Sequence, residues 1–428
     1  MKIRNFDGLA KSDLRKASLQ IAEAGLNAID TKNFIKENIH LDNKILTIKG
    51  SSFDLSEIEK LVVIGIGKCS LEAGLVLEDI LSDKITSGIV MDMTSSDTLK
   101  RLKSYQGDHP FPSERNIYGT KAIIELLTGL TEKDLVLMII SGGGSTLLCQ
   151  PDNMTCQDES AIIGCLFKEG ADIQDINIIR KHISYARGGF LAKYAYPAKV
   201  VSIIFSDIPG NNIEFVASGP TIKDNTTAED ARAIINKYEI ANKCGFQIST
   251  LIETPKKDEY FANVENILFL SNEVALEAMS DKAKELGFNP NICSSCLVGD
   301  AAETGVKIAK QISQSDPKTV LLYGGETTVI VKHPGKGGRN QELALATLDL
   351  VKEDTLVMGL ASDGVDNTSH AGGLCDIITK NTANKLGLSA TKCVTENCSY
   401  DFFEKTGDYI DTGPTGSNVS DLVIAIRN

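Results

Sequence analysis

The sequence carries no surplus of basic charge. Its 44 lysines and arginines are outnumbered by 57 aspartates and glutamates, for a net charge of −13. No basic run is long enough to follow a nucleic-acid backbone, so nucleic acid and anionic membrane surfaces are not expected partners. An anionic ligand must then be met by local cations, glycine turns or a bound metal. Long apolar runs are lacking too: none approaches the ~18 residues of a membrane span. The opening stretch MKIRNFDGLAKSDLRKASLQ is charged throughout and has no apolar centre, which argues against a signal peptide. Histidine is scarce, and the five (His40, His109, His182, His333, His370) include no HExxH or other metal-ligand spacing. A lone histidine is more often structural, and none is given a catalytic role. The ten cysteines are scattered, with one CxxC at Cys293 and Cys296 and no second pair to complete a zinc site or a disulfide framework. A reducing, cytoplasmic setting is expected.

Hydrophobic content of 42% and charged content of 24% are those of a globular protein. At 428 residues, two or three domains are expected. Residues 12–30 read as an amphipathic helix through Leu14, Ala17, Ile21, Gly25 and Ala28. Ile45 to Ile48 reads as a short strand at a sheet edge. Beyond it, apolar strand runs alternate with helical segments, which predicts βαβ units and parallel sheet. Helical and polar segments are expected from about residue 213 to Pro255. The charged, proline-containing stretch ETPKKDEY (253–260) reads as a linker, dividing the chain into domains 1–255 and 261–428. In the second, strands are expected at Thr319 to Tyr323, Val329 to Val331, Thr355 to Leu360 and Asp421 to Ile426.

Glycine- and polar-rich turns follow strands at 65–70, 141–145, 206–212, 324–326 and 362–366. Ligands in open α/β sheets bind at such carboxyl ends. In LVLMIISGGGSTLL, the loop Ser141, Gly142, Gly143, Gly144, Ser145 can present successive N–H groups to an anion. The equal alternative is a tight strand-to-helix turn. GIGKCS matches a dinucleotide fingerprint only in part, because Ser70 stands at the third glycine, and it fails as a Walker A loop. It leaves Lys68 exposed on a glycine turn. Asp92, at the end of the next strand, keeps a nicotinamide reading open. Ser145 lacks the closing glycine of a nucleophile elbow. Asp207, Glu326 and Asp363 follow strand runs, and Asp366 lies just beyond; such oxygens suit Mg²⁺, though each alone also suits a cap or turn. Arg339 opens a helix after GKGG and offers a planar fork for carboxylate or phosphate.

Six motifs together carry a resemblance: SGGGSTLL, RKHIS…RGGFLA, SDIPGNN…ASGPT, GGETTV…GKGGRNQELALA, SDGVDNTSHAGG and TGPTGSNVSDLVIAI. In this order, and over nearly the whole chain, they resemble the glycerate 2-kinases of the MOFRL family. The resemblance implies an α/β fold with an N-terminal Rossmann-like αβα sandwich, a C-terminal α/β MOFRL domain and an active site in the cleft between them. It implies ATP-dependent phosphorylation of the C2 hydroxyl of D-glycerate, with Mg²⁺, giving 2-phospho-D-glycerate and ADP. By position, Lys68 and Arg339 match the family's active-site lysine and arginine, and Asp207 and Glu326 its acidic positions. The expected catalytic set is Lys68, Arg339 and Asp207, with Asp207 preferred as base. Ser141 to Ser145, Asn211 and Asn340 are expected to bind substrate or phosphate. Glu326 and Asp363, with Asp207 a further candidate, are expected to hold the metal. Cys69 and Thr146 stand where the family often has alanine, which removes no functional side chain.

Two other readings remain at this stage. Some members of the family carry a hydroxypyruvate reductase label, which GIGKCS and Asp92 would serve with NAD(P)H. A non-catalytic phosphosugar-binding regulator leaves the carboxylates without a purpose. A homodimer is left open.

Overall fold

A computed structural model describes residues 1–245 and 250–428. Residues 246–249, part of the segment expected to be helical and polar, lie outside it. The chain forms two compact units that are not continuous in sequence. One comprises Thr31–Ser206 and Asn212–Phe269; the other comprises Met1–Asp30, Asp207–Asn211 and Leu270–Asn428. This differs from the division at 255/261 in three places: the N-terminal helix, the Asp207 segment and the boundary itself.

The first unit opens with β1 (Ile39–Asp42), β2 (Ile45–Ile48) and β3 (Ser51–Asp54), a small antiparallel sheet. The stretch expected at an edge is its middle strand, because the turns on either side fold short flanking strands onto it. The main sheet uses β4 (Lys60–Ile66), β5 (Ile85–Asp92), β6 (Leu102–Gln106), β7 (Asp134–Ile140), β8 (Lys199–Phe205) and β9 (Val264–Leu270), in the order β6-β5-β4-β7-β8-β9. From β6 to β8 every pairing is parallel. The central strands β4, β7 and β8 are buried almost throughout, as continuous apolar runs covered on both faces must be. The stretch read as a linker is instead bonded into this unit. Thr254 Oγ1 donates to Asp224 at 3.0 Å, and Lys256 Nζ donates to the Asp224 carbonyl at 2.9 Å.

One pair of cysteines departs from the expectation of free thiols. Cys165 and Cys244, 79 residues apart with Cα atoms 6.3 Å from each other, form a disulfide between two helices. A separation that long leaves no sequence signature. Cys293 and Cys296 are not bridged to each other.

The second unit holds β10 (Asn289–Leu297), β11 (Thr319–Gly325), β12 (Thr355–Ala361), β13 (Gly372–Cys375), β14 (Tyr409–Ile410) and β15 (Asp421–Arg427), in the order β10-β11-β15-β12-β13-β14. Only β10 and β11 pair in parallel. The C-terminal β15 inserts antiparallel between β11 and β12, so the parallel expectation fails here. Residues 329–331 form no strand; Ile330 and Val331 are largely exposed.

The N-terminal helix Asp13–Ala28 starts at Ser12, whose side chain accepts from the Arg15 amide. It belongs to the second unit because Arg15, fully buried, makes two bonds to Asp376 at 2.7 and 2.6 Å and one to Asp408 at 2.7 Å. Gly25 lies against Met279, leaving no room for a side chain where this helix packs on the helix Asn272–Glu285. Among the described residues, no helix is long and apolar enough to cross a membrane.

Candidate active site

In the first unit, two strand ends meet through their loops. The Lys68 amide donates to Gly142 O at 3.0 Å, and the Ser141 amide donates to Ile66 O at 2.9 Å. Ser141 is buried, and its hydroxyl lies between Ile66 O and the Cys69 amide, 3.4 Å from each. Gly67, at φ +119°, abuts Ser141, so a side chain there would drive the loops apart. Ser141 therefore locks the loops together rather than facing a ligand. Gly143, at φ +80°, lies under the Lys68 chain; a Cβ there would stand 3.1 Å from Lys68 Cγ and 3.4 Å from His109 Cδ2. Lys68 itself is exposed. The amides of Gly142 and Gly143 make no hydrogen bond among the described residues, so the loop keeps two donors for an anion.

The neighbouring motifs support this turn. Ser145 and Ser218 hydroxyls are 3.0 Å apart. Ala217 and Ser218 sit at φ +51° and +58°, a strained backbone for non-glycine residues of the kind that collects at functional sites. Gly188 and Gly189 of RGGF donate to Ser218 O and Gly219 O at 2.9 and 2.8 Å. Lys181 pairs with Asp224 at 3.1 Å, and His182 Nδ1 lies 2.7 Å from Ile252 O, so this part of RKHIS is architectural.

Asp92 does not present its carboxylate to solvent. It is buried, and it accepts from Leu71 N at 3.0 Å and Met93 N at 2.6 Å, anchoring the start of the helix Ser70–Leu81. Burial pushes its carboxyl up, against those backbone bonds. This occupies the acid on which the nicotinamide reading rested.

In the second unit, acidic side chains gather at one edge of the sheet. Gly325 and Ala361, at the ends of β11 and β12, both lie level with Asp421, the first residue of β15. Inserting β15 antiparallel thus puts its N-terminus beside the carboxyl ends of its neighbours, where Glu326 and Asp363 follow. Asp421 lacked a sequence signal: it starts a strand instead of ending one. Arg339, which opens the helix Arg339–Leu345, is occupied by carboxylates. It bonds Asp421 through Nε and Nη2, at 2.5 and 3.1 Å, and reaches Glu326 through Nη1 at 2.8 Å. Burial, and then the charges of Asp421, Asp207 and Asp363, push the Glu326 carboxyl above its ordinary value, while Arg339 opposes them. Asp207 joins this group because Ser420 Oγ donates to its carbonyl at 2.6 Å and Asn418 Nδ2 to its carboxylate at 3.3 Å. The segment was expected on the N-terminal domain; these bonds set it in the second unit.

Asn340 and Asp366 have structural work. Asp366 is buried and accepts from Asn340 N and Nδ2, both at 3.1 Å, and from Gln341 N and Nε2 at 2.9 and 3.1 Å. Burial and the Asp421 charge push its carboxyl up to about 6. The amide atoms of Asn211 are both buried and have no hydrogen-bond partner among the described residues, which leaves this predicted binding residue with its full donor and acceptor capacity. A cavity of about 400 Å³ opens beside Glu326 and Arg339, with Glu342 and Asp366 on its wall. Glu342, which no motif marked as acidic machinery, is pushed up to about 7 by burial.

Among the described residues, no three His, Cys, Asp or Glu side chains form a ready-made metal cage. Mg²⁺ rarely uses one: it takes one or two carboxylates and fills the rest with water and substrate phosphates. Crowded hard oxygen donors that raise one another's proton affinity fit such a cation.

Comparison with known proteins agrees with the motif pattern. The family described as "Domain of unknown function (DUF4147)" matches residues 17–253, and the MOFRL family matches residues 319–421. A glycerate 2-kinase of Pyrococcus horikoshii is 35% identical over 97% of both chains. A putative hydroxypyruvate reductase of Agrobacterium vitis is 34% identical over 85% of this chain and 86% of its own. Among solved structures, the glycerate kinase of Thermotoga maritima superposes with a TM-score of 0.85 at 32% identity, covering 96% of this chain and 99% of that one.

Proposed function

The chain belongs to the MOFRL family of glycerate 2-kinases, and from that premise we propose that it transfers the γ-phosphoryl group of ATP to the C2 hydroxyl of D-glycerate. The observation that carries the reading is the carboxylate group, Asp207, Glu326, Asp363 and Asp421, collected around Arg339. A hydride transfer has no use for it. Phosphoryl transfer depends on positioning and on neutralising charge at the transferring group and its metal.

Glu326 and Asp363 would hold Mg²⁺. The ion supplies charge neutralisation on the phosphate oxygens when bound. Asp207 accepts the proton of the C2 hydroxyl as that oxygen bonds to the γ-phosphorus and the β–γ bridging oxygen leaves with ADP. Lys68 places a point charge against the transferring phosphoryl, and Arg339, aimed by Asp421, places a second. The Ser141–Ser145 loop holds an anionic group through the Gly142 and Gly143 amides. Asn211 hydrogen-bonds the substrate. Asn340 acts through Asp366, fixing the turn that presents Arg339. The enzyme works in the cytoplasm on small molecules.

Coupled detection of ADP with D-glycerate, with and without Mg²⁺, tests this directly. ADP is expected only when ATP, D-glycerate and the metal are all present. Consumption of NAD(P)H with hydroxypyruvate, in place of ADP release, would favour the reductase reading instead; none is expected.

A further inference from the structure

The kinase reading assigns no role to a cavity of the first unit that lies beside the glycine loop. It measures about 300 Å³, at the small end of ligand-site volumes, and its lining mixes apolar and polar side chains. Part of its lining is apolar, from Pro110, Phe111, Pro112, Ile163 and Phe167. Phe111 and Phe167 are 71% and 56% exposed, an unusual placement for two phenyl rings on the wall of one cavity. Ser145, His109 and Arg180 supply polar lining.

Arg180 is the unusual group. It closes the helix Ile173–His182, and its guanidinium makes no hydrogen bond or ion pair with any described residue. Its acidic neighbour on the cavity wall, Glu159, is engaged by Arg187 at 2.5 Å. Burial, and then the Arg187 charge, bring the Arg180 guanidinium down to about 10. An arginine held this way among other cations is expected to have an anionic partner. His109 links this cavity to the glycine loop. It lines the cavity, and it lies over Gly143 beside the Lys68 chain. Burial, and then the charges of Lys68 and Arg180, hold its imidazole down to about 4, so it is neutral at pH 7. Lys68, Arg180 and the glycine-loop amides therefore act on one region.

We propose that this cavity is the site of the nucleotide donor, with the base against Phe111 and Phe167 and the phosphates toward Arg180, Lys68 and the glycine loop. A cavity lined by two phenyl rings and an arginine without a carboxylate partner suits a nucleoside phosphate, which has a planar base at one end and a polyanion at the other. D-Glycerate, small and polar throughout, has no use for the phenyl rings. This inference rests on the kinase reading only for the identity of the nucleotide.

The test is calorimetric titration of the full chain with ADP and, separately, with inorganic tripolyphosphate, with no acceptor present. Phe111→Ala and Phe167→Ala are expected to weaken ADP about fivefold or more each, as loss of a base-stacking ring does. Both should leave tripolyphosphate within about twofold. Arg180→Gln is expected to weaken both ligands by about tenfold or more, and Arg180→Lys to recover part of that loss. Unfolding midpoints equal to wild type confirm that the variants fold. The inference is overturned if ADP affinity is unchanged in all three variants. It is equally overturned if the KM for D-glycerate rises while ADP binding holds, because the cavity then serves the acceptor. ADP binding is read without turnover, so a chain that binds ADP here yet fails to phosphorylate glycerate keeps this inference and defeats only the kinase reading.

Discussion

Arg339 and Asp421, 82 residues apart in the chain, hold each other by two hydrogen bonds, Nε to Oδ2 at 2.5 Å and Nη2 to Oδ1 at 3.1 Å. The pair fixes the guanidinium plane and leaves Nη1 to Glu326. Arg339 is thus a positioned charge, not a free clamp. Asp421→Asn removes the negative charge that aims it while keeping the shape. A loss of about 10–100-fold in kcat/KM for D-glycerate is expected, the range for removing a partner that orients an active-site group. Arg339→Lys should not rescue activity, since an ammonium lacks the fork. Steady-state kinetics check both, and an Asp421→Asn enzyme within twofold of wild type would contradict the assignment.

Lys68 has a simpler role, and its loss should be larger. It is exposed, sits on a glycine turn and makes no ion pair among the described residues. Lys68→Ala is expected to cost about 10²-fold or more in kcat/KM, as loss of a charge-stabilising donor does. The unfolding midpoint should hardly move, because Lys68 is exposed and its loss breaks no ion pair among the described residues. A kcat/KM within a few-fold of wild type would remove Lys68 from the chemistry.

The N-terminal helix is tied to the second unit by charge as much as by packing. Arg15→Met leaves Asp376 buried without its cation and Asp408 with Lys11 alone, 3.6 Å away. Breaking such a group by removing one partner costs about 3–5 kcal/mol. Urea unfolding followed by circular dichroism should show that drop. A change under 1 kcal/mol would mean that water or a second cation replaces the guanidinium.

What could be read from the sequence was local. The glycine loop after β7 and Lys68 after β4 each lie within a few residues of the strand that positions them, so an apolar run and a turn were enough. Asp421 could not be read that way. It reaches Arg339 only because β15 inserts antiparallel between two strands from elsewhere in the chain. Arg15 gave no hint of its unit, since its partners lie 361 and 393 residues away. Arg180 was visible only as part of RKHIS, and its significance comes from the cavity it faces. Val329 to Val331 looks like a strand by β-propensity, yet the sheet has no neighbour for it.

Acid should destabilise the fold through two carboxylates. Burial works to raise Asp224, but hydrogen bonds from His182 and Thr226 and the charge of Lys181 outweigh it. Burial likewise works to raise Asp376, and Arg15 and Thr379 outweigh it. Both are held below the ordinary value of 3.8. Their folded forms therefore bind protons less readily than the unfolded chain. The stabilisation is complete above that value and is lost as pH falls below it. Urea midpoints measured from about pH 6 down to about pH 3 should fall, and Asp224→Asn should flatten the acid limb. Equal slopes for variant and wild type would contradict the role given to Asp224.

The most direct measurement concerns the product. Phosphorus NMR, with proton coupling retained, distinguishes the two possible phosphoglycerates by the protons next to the ester oxygen. Phosphate on C2 couples to the single C2 proton and gives a doublet, whereas phosphate on C3 couples to two protons. Incubation with ATP, Mg²⁺ and D-glycerate should yield the C2 doublet together with ADP. A signal split by two protons, or ADP without a new phosphoester, would contradict transfer to the C2 hydroxyl.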